Sequence, residues 1–288
     1  MPHTVPRENA TFVDAEGVTI HHHRWEAPTP RAVVQLVHGV GEYAARYEQL
    51  AQTLAAAGYS VDALDWRGHG QTGLAQWGGD HAKIGRLGPG GVRATIAGIR
   101  QHAGLARRDG LPLVLLGHSM GSLFGQKIID ADASDYAAVV FSGTASRTPR
   151  QMNAGDLNKR HAHLGPTTAE WLTRDRAIVD AFARDPLTTE AKVAQLFGIA
   201  DGLRLYGTPR RVNRDLPLLL QVGEEDPLGG PRSVELLANA YRRAGLTDIT
   251  IEIYPGARHE VYNETNRVEV LADLVAWLDG HVGADRAV

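Results

Sequence analysis

Residues 117–121 read Gly117-His118-Ser119-Met120-Gly121, directly after the apolar run PLVLL and ahead of a helical pattern. A serine in such a glycine-flanked turn between strand and helix is held in a strained backbone conformation, exposed at the strand's carboxyl end. The helix N-terminus beneath offers the Met120 N–H to a developing oxyanion. A serine hydroxyl is a weak nucleophile at neutral pH and needs a base within hydrogen-bond reach. Of 13 histidines, His259 stands five residues beyond the run ITIEIY, where a strand end would present it. The turn after PLLLQV holds three carboxylates, Glu224, Glu225 and Asp226, any of which could orient that histidine. His21-His22-His23 invites a metal reading. Successive strand residues face opposite ways, so only His21 and His23 could share an ion, and no acidic or cysteine partner follows at ligand spacing. A solvated edge-strand face, and no metal, is the expectation there. No phosphate-binding or dinucleotide-binding glycine loop is present, GRLGPGG (85–91) being a flexible loop and helix entry, and no cofactor is expected.

These residues need elements to hold them. Short apolar runs at 33–37, 59–64, 112–116, 137–141, 217–222 and 249–254 alternate with helical patterns at 43–57, 91–105, 232–244 and 264–280. In the first of these helices Tyr47, Leu50, Ala51, Leu54 and Ala55 share one face. In the last, Val268, Leu271, Ala272, Val275 and Leu278 do. Strands that are apolar throughout and linked by helices predict a mostly parallel central sheet with helices on both faces. The alternating stretch 11–25 predicts an antiparallel pair at the sheet edge. Between 144 and 211 the rhythm breaks, leaving helical patterns at 167–184 and 187–199 and no strand. The expected organisation is an α/β core in two parts, 1–143 and 212–288, with 144–211 inserted as a helical cap. The final GADRAV reads as a frayed tail.

Composition narrows the partners. Thirty basic and 33 acidic residues give a net charge of −3, so no basic surplus points to nucleic acid. Cysteine is absent, which removes disulfides, thiolate metal sites and a cysteine nucleophile. No N-terminal apolar segment reads as a secretory signal, and no run approaches the roughly 20 residues of a spanning helix. A cytoplasmic protein with no integral membrane segment is expected.

Four segments, HGVGEYAARYEQLAQTLAAAGY (38–59), LDWRGHGQTG (64–73), LLGHSMGS (115–122) and YPGARHEVYNE (254–264), occur in an order that resembles the α/β-hydrolase superfamily, in particular its monoacylglycerol lipase and lysophospholipase branch. The resemblance implies an α/β-hydrolase fold with partners following the nucleophile in the order acid, then histidine. It selects Asp226 over its neighbours and implies a triad of Ser119, Asp226 and His259. It makes the Val40 N–H the second oxyanion donor, beside Met120. Asp65, Arg67, His69 and Gly70 are expected to be structural, with an Asp65–Arg67 pairing and a satisfied His69 beneath the site, and His118 to be a packed neighbour. Leu157, Leu164, Trp171, Leu172, Leu196 and Phe197 are candidates for an acyl pocket, or equally for the cap's own core. The implied activity is hydrolysis of carboxylic esters, monoacylglycerols or similar medium-chain acyl esters, through an acyl-enzyme. An amidase, lactonase or acyltransferase on the same scaffold, or a non-catalytic binding protein, is the alternative. Expected partners are a small-molecule acyl ester, transient contact with lipid and a second copy of the chain in a homodimer.

Overall fold

The structure is a computed structural model that describes residues 4–190, 192–213 and 215–282. The tail reading of 283–288 lies outside the described residues. Among the described residues, eight strands form one sheet. They are β1 (Arg7–Val13), β2 (Thr19–Trp25), β3 (Ala32–Val37), β4 (Tyr59–Leu64), β5 (Leu113–His118), β6 (Ala138–Ser142), β7 (Leu218–Gly223) and β8 (Ile249–Tyr254), in the spatial order β1-β2-β4-β3-β5-β6-β7-β8. The β1/β2 and β2/β4 pairs are antiparallel and the rest parallel, as the switch from alternating to continuously apolar runs predicts. The helices are α1 (Glu48–Ala56), α2 (Gly70–Gln76), α3 (Gly91–Ala106), α4 (Met120–Ala131), α5 (Arg176–Arg184), α6 (Val193–Phe197), α7 (Ile199–Arg204), α8 (Gly230–Arg243) and α9 (Arg267–Val282).

Two cores sandwich the sheet because successive strand residues face opposite ways. Val33, Val37, Leu113, Leu115, Val139, Phe141, Leu218 and Leu220 pack with α3, α4 and α8. Val34, Leu36, Val61, Val114, Leu116, Val140 and Leu219 pack with α1 and α9. Each such side chain contributes roughly 1.5–3 kcal/mol on full burial. The predicted face of the first helix is buried, although its first turn, Ala44–Tyr47, is a 3-10 turn before α1. The face of α9 is rotated from the predicted one: Val270, Leu271, Leu274, Trp277, Leu278 and Val282 are buried, whereas Val268 and Ala272 are exposed. The indole of Trp277 sets this stripe by lying over β8, where its N–H donates to Thr250 Oγ1 at 3.1 Å. The smaller Ala272 and Val268 yield the buried side to it.

The stretch between β6 and β7 adds no strand among the described residues. Its helices are shorter than their patterns. The 167–184 pattern is helical only as α5, because Asp175 caps the Ala177 N–H and Glu170 takes both the N–H and the hydroxyl of Thr167 into a local turn. The 187–199 pattern yields α6, which stops at Gly198. A small cluster of Ala169, Leu172, Val179 and Phe182 gives the stretch a core of its own.

The solvated-edge reading of the three histidines is corrected. Strand β1 lies outside β2, and His22 and His23 are buried. Asp62 of β4 receives His22 Nδ1 and His102 Nε2, each at 2.7 Å, and Arg24 Nε at 2.8 Å. The acid sits 40 residues away in sequence, on the paired strand, which motif spacing does not reveal. Two ligands sharing an ion at about 2.1 Å stand roughly 3 Å or more apart. At 2.7 Å, with an arginine on the same carboxylate, His22, Asp62 and His102 form a hydrogen-bonded ionic network. No helix among the described residues is long and apolar enough to cross a membrane.

Candidate active site

Strand β5 ends at His118 and α4 begins at Met120, leaving Ser119 alone to make the turn. It does so at φ 51° and ψ −119°, the one non-glycine residue with positive φ among the described residues. Such a conformation costs about 1–3 kcal/mol and persists only where surroundings impose it. Here the Ser119 N–H donates to the Ser142 carbonyl at 2.9 Å, and its carbonyl accepts from Ser122 and Leu123. Gly121 is required by close approach: a Cβ there would lie 2.0 Å from the Val37 carbonyl oxygen and 2.6 Å from that of His38. The start of α4 is thereby pressed against the end of β3, where residues 38–41 leave the sheet.

The predicted base and acid arrive from the far side. His259 lies in the loop after β8, and its Nε2 is 2.8 Å from Ser119 Oγ. Its Nδ1 lies 3.0 Å from both carboxylate oxygens of Asp226, in the turn after β7. Asp226 Oδ1 also accepts the Leu228 N–H at 2.8 Å, which fixes the carboxylate. The rival carboxylates are turned elsewhere: Glu224 accepts the Gly256 N–H, and Glu225 lies 3.6 Å from His161. Burial opposes charge on His259, but the Asp226 carboxylate and its hydrogen bond outweigh it and raise the pKa above the ordinary imidazole value. Nearby His118 is neutral: burial, then the adjacent His259, pushes it down to about 3, and it hydrogen-bonds with Ser142 Oγ at 3.0 Å. Neither the Val40 nor the Met120 N–H meets an acceptor among the described residues. Met120 opens α4 directly after Ser119, and Val40 follows Gly39, where an added Cβ would lie 3.0 Å from Ser119 Cβ. The arrangement joins a hydroxyl, an imidazole and a carboxylate in one hydrogen-bonded line at the end of β5.

The turn at 65–70 departs from its expected pairing. Asp65 accepts the Ala44 and Gln71 N–H groups, both at 2.8 Å, and burial raises its carboxyl to about 6 against those bonds. Arg67 instead faces Asp14 of the β1–β2 turn at 3.5 Å. Asp65 is taken by two backbone donors, Gln71 just beyond its own turn and Ala44 in the 3-10 turn before α1, and the arginine turns to the edge hairpin. His69 uses only Nδ1, toward the Arg67 carbonyl, and so is half satisfied.

The stretch between β6 and β7 touches this site. The His259 and Glu260 N–H groups donate to the Trp171 and Leu172 carbonyls, and the Trp171 ring stands 4.7 Å from the His259 ring. Thr189 N–H donates to the Gly41 carbonyl at 3.0 Å, and Tyr43 O–H donates to Asp185 at 2.6 Å. Of the other pocket candidates, Leu172 belongs to the small cluster, Leu157 and Phe197 pack on the main core, and Leu196 lies against Gly85. Leu164 is 47% exposed, at the end of a single 3-10 turn, and joins no cluster. Sequence reasoning missed Glu42, Arg46 and Glu260, which form a buried ionic chain beside Ser119 and His259. The i, i+4 spacing of Glu42 and Arg46 was a signal available in the sequence.

An elbow serine at the carboxyl edge of a mostly parallel eight-stranded sheet, with its histidine after the last strand, defines the α/β-hydrolase class. The solved structure of a thermostable carboxyl esterase from Bacillus coagulans shares this fold, with a TM-score of 0.82 at 22% identity over 97% of this chain and all of that one. That of the Saccharomyces cerevisiae monoglyceride lipase gives 0.76 at 21% identity over 99% and 98%. Within the class, the chain belongs to the serine aminopeptidase, S33, family, whose pattern matches residues 28–266. It is 32% identical to a monoacylglycerol lipase of Mycolicibacterium smegmatis, over 96% of this chain and 98% of that one. It is 30% identical to human monoglyceride lipase, over 96% and 92%.

Proposed function

We propose that this chain is a carboxylic-ester hydrolase acting on monoacylglycerols or similar medium-chain acyl esters, with Ser119, His259 and Asp226 as its triad. The observation that carries the reading is the 2.8 Å contact of His259 Nε2 with Ser119 Oγ, backed by Asp226 on Nδ1. Ser119 Oγ attacks the ester carbonyl as His259 takes its proton. Asp226 holds the ring and stabilises the imidazolium. The Val40 and Met120 N–H groups receive the oxyanion. The imidazolium then protonates the leaving alcohol, and water activated by His259 releases the acid from the acyl-enzyme.

The ester class is supported by the names of the similar lipases and by the charges around the site. An aminopeptidase must hold its substrate's free ammonium, which calls for an unpaired carboxylate. Among the described residues, the carboxylates hydrogen-bonded beside Ser119 and His259 already hold side-chain donors, Glu42 and Glu260 sharing Arg46 and Asp226 holding His259, so none presents a donor-free face for an ammonium. Residues 144–211 act as a cap over the sheet edge in this reading, with Trp171 beside the reacting centre. The test is a panel of monoacylglycerols, p-nitrophenyl esters and aminoacyl amides, run with Ser119→Ala as control. Hydrolysis of the esters by the parent chain alone supports the proposal. Turnover of amides in preference to esters, or equal turnover by Ser119→Ala, rejects it.

A further inference from the structure

The chain of charges beside the triad has a geometry that a merely buried salt bridge does not need. Glu42 Oε1 accepts the Gly39 N–H and the Tyr47 O–H, both at 2.7 Å, and its Oε2 accepts Arg46 Nη1 at 2.6 Å. All three partners are donors, which suits an acceptor-only carboxylate. Arg46 reaches on to Glu260 with two parallel bonds, Nη1 to Oε1 at 2.8 Å and Nη2 to Oε2 at 2.9 Å. Asn263 Nδ2 donates to the same Glu260 Oε2 at 2.8 Å, and the Phe182 ring covers the guanidinium at 4.9 Å. One guanidinium thus ties the loop after β3 to the residue that follows His259.

The consequence lies at Gly39. Its N–H is pinned by Glu42, and its carbonyl accepts His38 Nδ1 at 2.7 Å. With both neighbouring peptide planes fixed, the torsions of Gly39 are fixed. A peptide is planar and trans, so fixing the Gly39 carbonyl also fixes the opposite direction of the Val40 N–H. The close approach leaves no slack: a Cβ on Gly39 would lie 2.7 Å from Glu42 Oε1 and 3.0 Å from Ser119 Cβ.

We propose that Glu42 is a positioning residue, aiming the Val40 N–H at the oxyanion and, through Arg46 and Glu260, holding that loop in register with His259. This rests on the triad and oxyanion reading above. The chain also has an electrostatic effect. Two carboxylates share one guanidinium, leaving a net negative charge near the imidazole. The charges acting on His259 are the carboxylates of Asp226, Glu260 and Glu42, which favour the imidazolium, and the neighbouring His118 ring is neutral. Burial pushes Glu42 up against the pull of Arg46. Burial pushes Glu260 up as well, but Arg46 overcomes it and holds that carboxyl down to about 2.

The test compares Glu42→Gln and Glu42→Ala with the parent chain on a soluble p-nitrophenyl ester across pH, with thermal melts as a folding control. Gln keeps an acceptor for Gly39 but removes the charge. The expected result is a roughly tenfold fall in kcat for Gln and about 100-fold for Ala, with KM within about twofold. The acid midpoint of kcat/KM moves down by about 0.5–1 unit in Gln, a shift that a role in folding alone would not give. Folded variants with parental kcat and an unmoved midpoint overturn the proposal. If Glu42→Gln does not fold, Arg46→Lys carries the test. It keeps the charge but cannot span Glu42 and Glu260 with parallel bonds, so kcat falls about tenfold with KM unchanged, and a parental kcat overturns the idea. An inactive parent chain would instead sink the hydrolase reading itself.

Discussion

Replacing Gly121 by alanine should damage the site through the backbone of a different element. The new methyl would stand 2.0 Å from the Val37 carbonyl oxygen, and an ordinary contact begins near 3.4 Å, so α4 and the end of β3 must part by roughly 1.4 Å. The opposing atoms are backbone in a central strand and cannot swing aside. Overpacking of this kind costs about 1–3 kcal/mol, and the rigid partner places this case at the upper end. For a chain of this size the melting temperature should fall by about 4–9 °C. The same movement separates the Met120 N–H on α4 from the Val40 N–H on the loop after β3. Losing alignment of one oxyanion donor lowers kcat by about 100- to 1,000-fold. The assay is ester hydrolysis well below the melting temperature of the variant, with circular dichroism to establish folding. A folded Gly121→Ala protein with kcat within threefold of the parent would refute the argument that this contact sets the oxyanion geometry.

Asp226→Asn leaves shape intact but removes the charge that orients His259 and stabilises its imidazolium, so kcat on esters should fall by about 10,000-fold. The parent's kcat/KM should rise with pH as His259 loses its proton, with a midpoint above the ordinary imidazole value of about 6.5, because Asp226 outweighs burial in the folded protein. A midpoint below that value in a pH–rate profile would contradict this charge balance. Asp62→Asn should destabilise the fold by about 3–5 kcal/mol in urea titration at neutral pH, since Arg24 and two buried histidines lose their anion, while kcat stays near the parent's. The His102 and His22 hydrogen bonds overcome burial and hold the Asp62 pKa below the ordinary carboxylate value. Its contribution is therefore present above about pH 4 and fades as pH falls through the depressed value; a penalty for Asp62→Asn that grows on acidification would contradict this.

The sheet was legible because parallel strands buried on both faces must be apolar throughout, so runs such as those in β3 and β7 stand out from the helices between them. The meeting of Ser119 with His259 was legible for a related reason: a strained turn and a strand-end loop leave local marks in sequence. What was not legible depends on partners far along the chain. Asp65 could have chosen Arg67, but the Ala44 and Gln71 N–H groups took both its oxygens. The histidines of β2 looked exposed because alternation does not say that β1 covers their strand or that Asp62 waits opposite. In α9, Val268 fits an apolar stripe as well as Val270 does, and only the placement of Trp277 over β8 decides between them. Between β6 and β7, side chains such as Glu170 bind backbone that a helix would otherwise use, so periodicity overstates the helices.

Covalent capture of the nucleophile tests the central claim most directly. The chain is treated with a fluorophosphonate probe, digested and mapped by mass spectrometry, beside His259→Ala. Modification of Ser119 in the parent, at a rate that collapses in the variant, is the predicted result. An unmodified Ser119 in folded parent protein, or equal labelling when His259 is removed, would contradict the proposed nucleophile and base.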